Sequence, residues 1–238
     1  MRELFITNKN YSSWSLRPWL LMTELGIDFQ ERLVPFGAHQ GPEGFARFSP
    51  TGRVPVLRED GLTIWDSLAI VDHLAEARPD VWPADRAARA WARSATAEMH
   101  AGFARVRDVC SMNCGIRVAL HPQDAAFDAE WARIDALWCE GPRRFGGPFL
   151  AGDRFSAVDA FYAPVAFRVQ TYSPPLSAAA MAYARTLLAL PGMQAWYAAA
   201  LAETVRDEPH EAEARAAGRW LHDLRAQPAA SNSAMGGR

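Results

Sequence analysis

Cysteine is scarce. Only Cys110, Cys114 and Cys139 occur in 238 residues, and so low and odd a count argues against a disulfide framework. Cys110 and Cys114 are four apart, a spacing that predicts two reduced thiols on one helical face. Further Cys or His ligands at zinc-site spacing are missing. Charge of either sign in excess is missing too. Lys and Arg number 25 against 27 Asp and Glu, giving a net charge of −2 and a pI near 6.3, without the basic footprint of a nucleic-acid binder. No apolar run nears the ~20 residues that span a bilayer, and Met1-Arg2-Glu3-Leu4 shows no signal-peptide pattern. No internal repeat is evident. These absences predict a soluble, cytoplasmic protein with no metal, no nucleic-acid partner and no membrane partner.

What is present is ordinary globular material, half of it apolar and 22% charged, enough for one large domain or two small ones. Residues 2–7 read as a buried strand. Leu16, Leu20, Leu21 and Leu25 form a helical stripe over 15–25, closed by Gly26 at a C-cap position. Residues 28–34 read as a second strand, followed by a Gly- and Pro-rich loop from Pro35 to Gly52. Val54–Leu57 and Leu62–Trp65 are short strands joined by Asp60-Gly61, a strong hairpin signal. A helix begins at Asp66-Ser67, buries Leu68, Val71 and Leu74, and stops at Pro79. Beyond Pro83 the pattern becomes helical, with helices expected near 84–116, 122–140, 156–171, 177–189, 191–205 and 207–223. The predicted fold is a thioredoxin-like α/β domain (βαβ-ββα) over 1–80, then an all-helical domain over 84–225, then a tail over 226–238 expected to be disordered.

Four short stretches carry possible chemistry. In TGRVPVL, Pro55 opens a strand, where its missing N–H is best tolerated. In DSLAIVDHL, Asp66 and Ser67 sit at a helix N-terminus, whose free N–H groups and dipole suit a carboxylate; an N-cap alone would explain them as well. In GDRFSAVDAFYAP, Ser156 and Asp159 have capping-box spacing, a structural device. In NYSSWSLRPWL, three serines stand at a strand-to-helix junction. One of them is either a helix cap or a working hydroxyl.

The order of elements and these motifs together resemble the cytosolic glutathione transferase superfamily over about residues 2–205. SSWSLR is most similar to the zeta class, which reads Ser-Ser-Cys-Ser-x-Arg; Trp14 stands where that class carries cysteine. The resemblance implies a catalytic hydroxyl at Ser12, with Ser13 and Ser15 as neighbouring candidates and Ser13 also a candidate helix cap. It implies a cis Val54-Pro55 bond, with the backbone of Val54 pairing with the cysteinyl part of glutathione. Asp66 and Ser67 would hold the γ-glutamyl end, and His39, Gln40 and Arg53 the glycyl end. Met99, Phe103 and Arg107, read as one helical face, would join Trp14 at the electrophile site, with Met112, Asn113 and Arg117 nearby. Glutathione would be a co-substrate, no metal would be needed, and the chain would form a homodimer. The implied activity is addition of the glutathione thiolate to a small electrophile. Glutathione-dependent cis/trans isomerisation of a maleyl-type dicarboxylate, and a non-catalytic binding or regulatory role, remain open alternatives.

Overall fold

The computed structural model describes residues 1–37 and 44–226. Its first part is a four-stranded mixed sheet in the order β2-β1-β3-β4. β1 (Arg2–Ile6) runs parallel to β2 (Gln30–Leu33), with Glu3 opposite Gln30, and antiparallel to β3 (Val56–Glu59), with Leu4 opposite Leu57. Alternation along β1 sorts the two faces. Leu4 and Ile6 are fully buried, while Phe5 stacks on Phe48 at 4.5 Å between ring centroids. The hairpin from β3 to β4 (Leu62–Trp65) turns through Asp60 and Gly61, both at positive φ (49° and 84°). That is the conformation for which Asp-Gly is suited. Helix α1 (Ser13–Glu24) crosses between β1 and β2, and α2 (Ser67–Ala77) follows β4.

The second part is mainly helical: α3 (Arg86–Ala101), α4 (Ala104–Val109), α5 (Ala125–Phe145), α6 (Ala157–Tyr172), α7 (Ala178–Leu188), α8 (Pro191–Ala202) and α9 (Glu208–Ala217). It departs from the all-helical expectation in two places. The single helix expected over 84–116 does not form. α3 ends at Gly102, and Phe103 takes a left-handed conformation (φ 55°, ψ 38°) before α4 restarts in a new direction. The helix expected over 207–223 stops at Ala217. Residues Gly218–Asp223 form β6, which pairs antiparallel with β5 (Ile116–Leu120). Cys110 and Cys114 therefore share no helix. They flank a short connection between α4 and β5, both buried and unpaired.

One buried apolar cluster runs through both parts, from Leu4, Ile6, Leu16 and Leu20 to Trp138, Phe161 and Trp196. α6 is its axis. Almost every α6 residue is buried, and α1, α3 and α7 all pack on it. Its start is fixed by the expected capping box: the Asp159 carboxylate accepts from Ser156 N at 3.0 Å and from Ser156 Oγ at 3.3 Å. Asp159 also accepts from Leu150 N (3.0 Å) and Tyr183 Oη (2.9 Å), tying the preceding loop and α7 to the same carboxylate. No described helix is long and apolar enough to cross a membrane. Of the tail expected over 226–238, all but Ala226 lies outside the described residues.

Asp159→Ala leaves several buried donors without acceptors at once, each costing about 1–3 kcal/mol. Equilibrium urea unfolding of that variant is expected to show a loss of about 3 kcal/mol or more. The buried thiols give a second expectation. Burial pushes Cys110 up to about 12 and Cys114 higher still, so neither supplies thiolate near neutrality. A disulfide-exchange reagent should titrate only Cys139 in the folded protein and all three cysteines after denaturation.

Candidate active site

The sheet and the helical part meet in a cleft of about 860 Å³. Its walls bring together residues far apart in sequence, from Tyr11 to Glu213. The β1–α1 junction forms one wall. Ser12, not Ser13, is the N-cap of α1: its Oγ accepts from Ser15 N at 3.4 Å and donates to Ser15 Oγ at 2.7 Å. Ser15 is fully buried and also accepts from Thr7 N. Its hydroxyl therefore supports the junction from behind. Ser12 and Ser13 both line the cleft, and the Ser13 hydroxyl makes no hydrogen bond to any described residue.

Opposite lies the segment before β3. The Val54-Pro55 bond is cis, and Arg53, Val54 and Pro55 all line the cleft. Ser49 braces this turn: its Oγ accepts from Arg53 N at 3.0 Å and donates to Arg53 O at 2.6 Å. The third wall is the start of α2. Asp66 caps that helix, accepting from Leu68 N at 2.8 Å. Its backbone sits at φ 60°, ψ 150°, a region essentially reserved for glycine and costing of order 1–3 kcal/mol. A side chain kept there is held by its surroundings, and such strain concentrates where ligands bind. Ser67 follows, fully buried and absent from the cleft lining. Its Oγ faces Asp66 at 3.5 Å.

The helical part closes the cleft. Trp14, Arg107 and Met112 line it. Met99 and Phe103 do not. Met99 points from α3 into the apolar core and Phe103, just past the break at Gly102, packs there too; they are 1% and 6% exposed. Arg117 faces elsewhere, donating to the carbonyls of Cys114 and Ile116 and to Tyr197 Oη. Asn113 is buried, bonded to Asn10 and Glu211. His39 and Gln40 lie outside the described residues. Among the lining residues that the sequence did not single out are Tyr11, Arg168, His210 and Glu213. Arg168 had a usable signal, a lone arginine inside the apolar run AFYAPVAFRVQTY. His210 and Glu213 had none, because only the fold carries α9 back to Tyr11.

Electrostatically the cleft is crowded with guanidinium groups. Arg17 lies behind Trp14, and burial pulls its pKa down to about 9, helped by the neighbouring charges of Arg168 and Arg107. Burial likewise brings Arg168 down to about 10. His100 stands 3.7 Å from Asp66, and its pKa is lowered, first by burial and then by Arg17 and Arg107 against the pull of Asp66. Among the described residues, no three His, Cys, Asp or Glu side chains gather in a way that could hold a metal ion.

The strain at Asp66 predicts a divergence between stability and binding. Asp66→Gly relieves the backbone, whereas Asp66→Ala keeps the strain and loses the cap. Urea midpoints should place the glycine variant about 1 kcal/mol or more above the alanine variant. Both variants lose the carboxylate from the cleft.

Residues 11–77 match the model of the glutathione S-transferase N-terminal domain, and residues 89–199 that of the glutathione S-transferase C-terminal domain. The chain is 31% identical over 156 residues to a maleylacetoacetate isomerase of Rhizobium meliloti, covering 59% of this chain and 68% of that one. It is 26% identical over 172 residues to the Rattus norvegicus maleylacetoacetate isomerase, covering 70% and 78%. A Burkholderia glutathione transferase homologue crystallised with glutathione superposes with a TM-score of 0.63 at 23% identity, over 84% of this chain and 97% of its own. With both domain models matched in order on a thioredoxin-like sheet and a helical partner, the chain belongs to the glutathione S-transferase family.

Proposed function

We propose that this protein binds glutathione in the cleft, stabilises its thiolate with the Ser12 hydroxyl and adds the sulfur to a small electrophile. The observation that carries the reading is the convergence of Ser12, Val54-Pro55 and Asp66 on one cleft. The backbone of Val54 is then the partner for the cysteinyl unit, in the manner of an added strand. Asp66 takes the γ-glutamyl ammonium, and the α2 N-terminus, with Ser67 behind it, takes the γ-glutamyl carboxylate. Arg53, on the opposite lip, takes the glycyl carboxylate, with Ser13 closing the cradle.

A free thiol with a pKa of ~8.5 is mostly protonated near neutrality, and lowering it by about two units takes roughly 2.7 kcal/mol. A hydroxyl at a helix N-terminus supplies part of that through a donated hydrogen bond to the anion. Ser12 donates its hydroxyl proton to Ser15 Oγ. The 2.7 Å bond between two hydroxyls can reverse, with Ser15 donating to Ser12, and the Ser12 proton is then free for the sulfur. No general base is required, because the serine keeps its proton throughout. The homodimer implied by the resemblance is part of the same proposal. Leu62, 56% exposed on the edge strand β4, supports a partner at that edge, and sedimentation velocity would show it.

The decisive measurement is retention on immobilised glutathione, followed by an ultraviolet titration of the bound thiolate. In Ser12→Ala the bound thiol pKa is expected to rise by about one to two units, the worth of a charged hydrogen bond of about 1.5–3 kcal/mol. Ser15→Ala should raise it by less. An unchanged pKa in Ser12→Ala with a raised one in Ser13→Ala would move the role to Ser13. Failure to bind glutathione would sink the enzymatic reading in favour of a non-catalytic role. Following glutathione consumption separates addition from isomerisation of a maleyl-type double bond, which returns the thiol.

A further inference from the structure

His100 stands at the end of α3, with its ring against the cap of α2. Nε2 lies 3.7 Å from Asp66 Oδ1, too long for a hydrogen bond but close enough for charge to be felt. Trp14 meets the ring edge-on at 5.3 Å between centroids, and Phe161 of α6 lies 6.2 Å away. The backbone is tied as well, since Arg107 Nη1 donates to His100 O at 3.2 Å. Residues from α1, α4 and α6 thus hold an imidazole beside the strained Asp66.

The two ring nitrogens differ. Nδ1 is enclosed and has no hydrogen-bond partner among the described residues. A proton there is a buried donor without an acceptor, which is unfavourable. The neutral ring therefore carries its proton on Nε2, toward Asp66. A second proton creates that unmet donor on Nδ1. It also puts a positive charge near Arg17 and Arg107. Burial first, and then these two arginines, hold the pKa of His100 below its ordinary value against the pull of Asp66. Arg17 faces the ring from α1, Asp66 from α2 and Arg107 from α4, while α6 offers the neutral Phe161. On α3 itself Glu98 is already paired with Arg133 at 2.7 Å. An imidazole that stays neutral leaves the Asp66 charge for another cation. Asp66 lines the cleft and His100 does not, so that cation arrives from the cleft side.

We propose that His100 is a positioning residue for glutathione: as a neutral imidazole it backs the Asp66 carboxylate and leaves its charge to the γ-glutamyl ammonium, and as an imidazolium it takes that charge away. The inference rests on the glutathione reading, because it needs an ammonium at Asp66. His100 acts through Asp66 and not by touching the ligand. Protonation of the ring and binding of the ammonium oppose one another, so glutathione affinity falls in acid and bound glutathione resists protonation of the ring.

Glutathione is titrated calorimetrically into the full chain at about pH 7 and about pH 5, a range over which its ammonium and carboxylates keep their charges. The unaltered protein is expected to lose about fivefold in affinity toward acid, since each pKa unit of coupling is worth at most tenfold. His100→Gln keeps an N–H for Asp66 but cannot take up a proton, so its acid loss should shrink below about twofold. His100→Ala should bind more weakly already at neutral pH, with Gln restoring most of the loss. The same peptide without its amino group, glutaryl-cysteinyl-glycine, should show no acid loss in the unaltered protein. A glutathione affinity indifferent to pH overturns the proposal, as does an acid loss that persists in His100→Gln or with the deaminated peptide. If glutathione binds at no pH, the proposed function fails too; binding with a flat response defeats this inference alone. Proton NMR of the unaltered protein gives a check that does not depend on the variants folding. Saturating glutathione should move the His100 midpoint to lower pH, and an unmoved midpoint overturns the proposal.

Discussion

The loop from Asn8 to Ser12 is held by the helical part as much as by the sheet that precedes it, and the site depends on that clamp. The Glu203 carboxylate, at the end of α8, accepts from Lys9 N at 2.6 Å and Asn10 N at 3.2 Å. Trp196 Nε1 donates to Lys9 O at 2.8 Å, and Asn10 bonds to Asn113 through its side chain and to Gly115 N. These are buried or half-buried polar contacts, so each loop donor and acceptor has to be met by the other domain. Ser12 inherits its position from them. Burial raises the pKa of Glu203 while the Lys9 and Asn10 amides oppose the shift, so the clamp uses a carboxylate that earns its burial by capping two backbone groups.

The same loop decides what the cleft can read. Arg17 is one turn beyond the clamp, buried beneath Trp14, and its field reaches the cavity where Arg107 and Arg168 arrive from α4 and α6. Under the proposed function, glutathione would be held on the sheet side, by the turn before β3 and the start of α2. Ser12 lines the cleft because the junction between β1 and α1 lies on the seam between the sheet and the helical part.

Much of the first domain could be read in the sequence. Asp60-Gly61 announced its hairpin because a two-residue turn needs positive φ at both positions. The strand-helix-strand order followed from periodicity. Ser12, Val54-Pro55 and Asp66 could be placed because each belongs to a short motif at an element boundary. The second domain was less legible. The strand Ile116–Leu120, which falls at the end of one expected helix and before the next, leaves no local signal because its pairing partner, β6, lies about a hundred residues away, and strand formation answers to such partners more than to local propensity. Met99 and Phe103 were placed in the site on an unbroken helical face, and Gly102 breaks that face. Arg168 and His210 enter the cleft through packing that no local pattern encodes.

One buried cluster sets a temporal order for this architecture. Tyr11 Oη donates to Glu211, and Arg225, almost wholly enclosed, pairs with Glu211 at 2.5 Å and with Asp223 at 2.7 Å while also donating to Tyr11. Tyr11 is made early on the ribosome and Arg225 late. The wall beside Ser12 thus stays unfinished until translation has passed residue 225, and a chain released before that point carries every serine of the motif on a cleft that has not yet been closed.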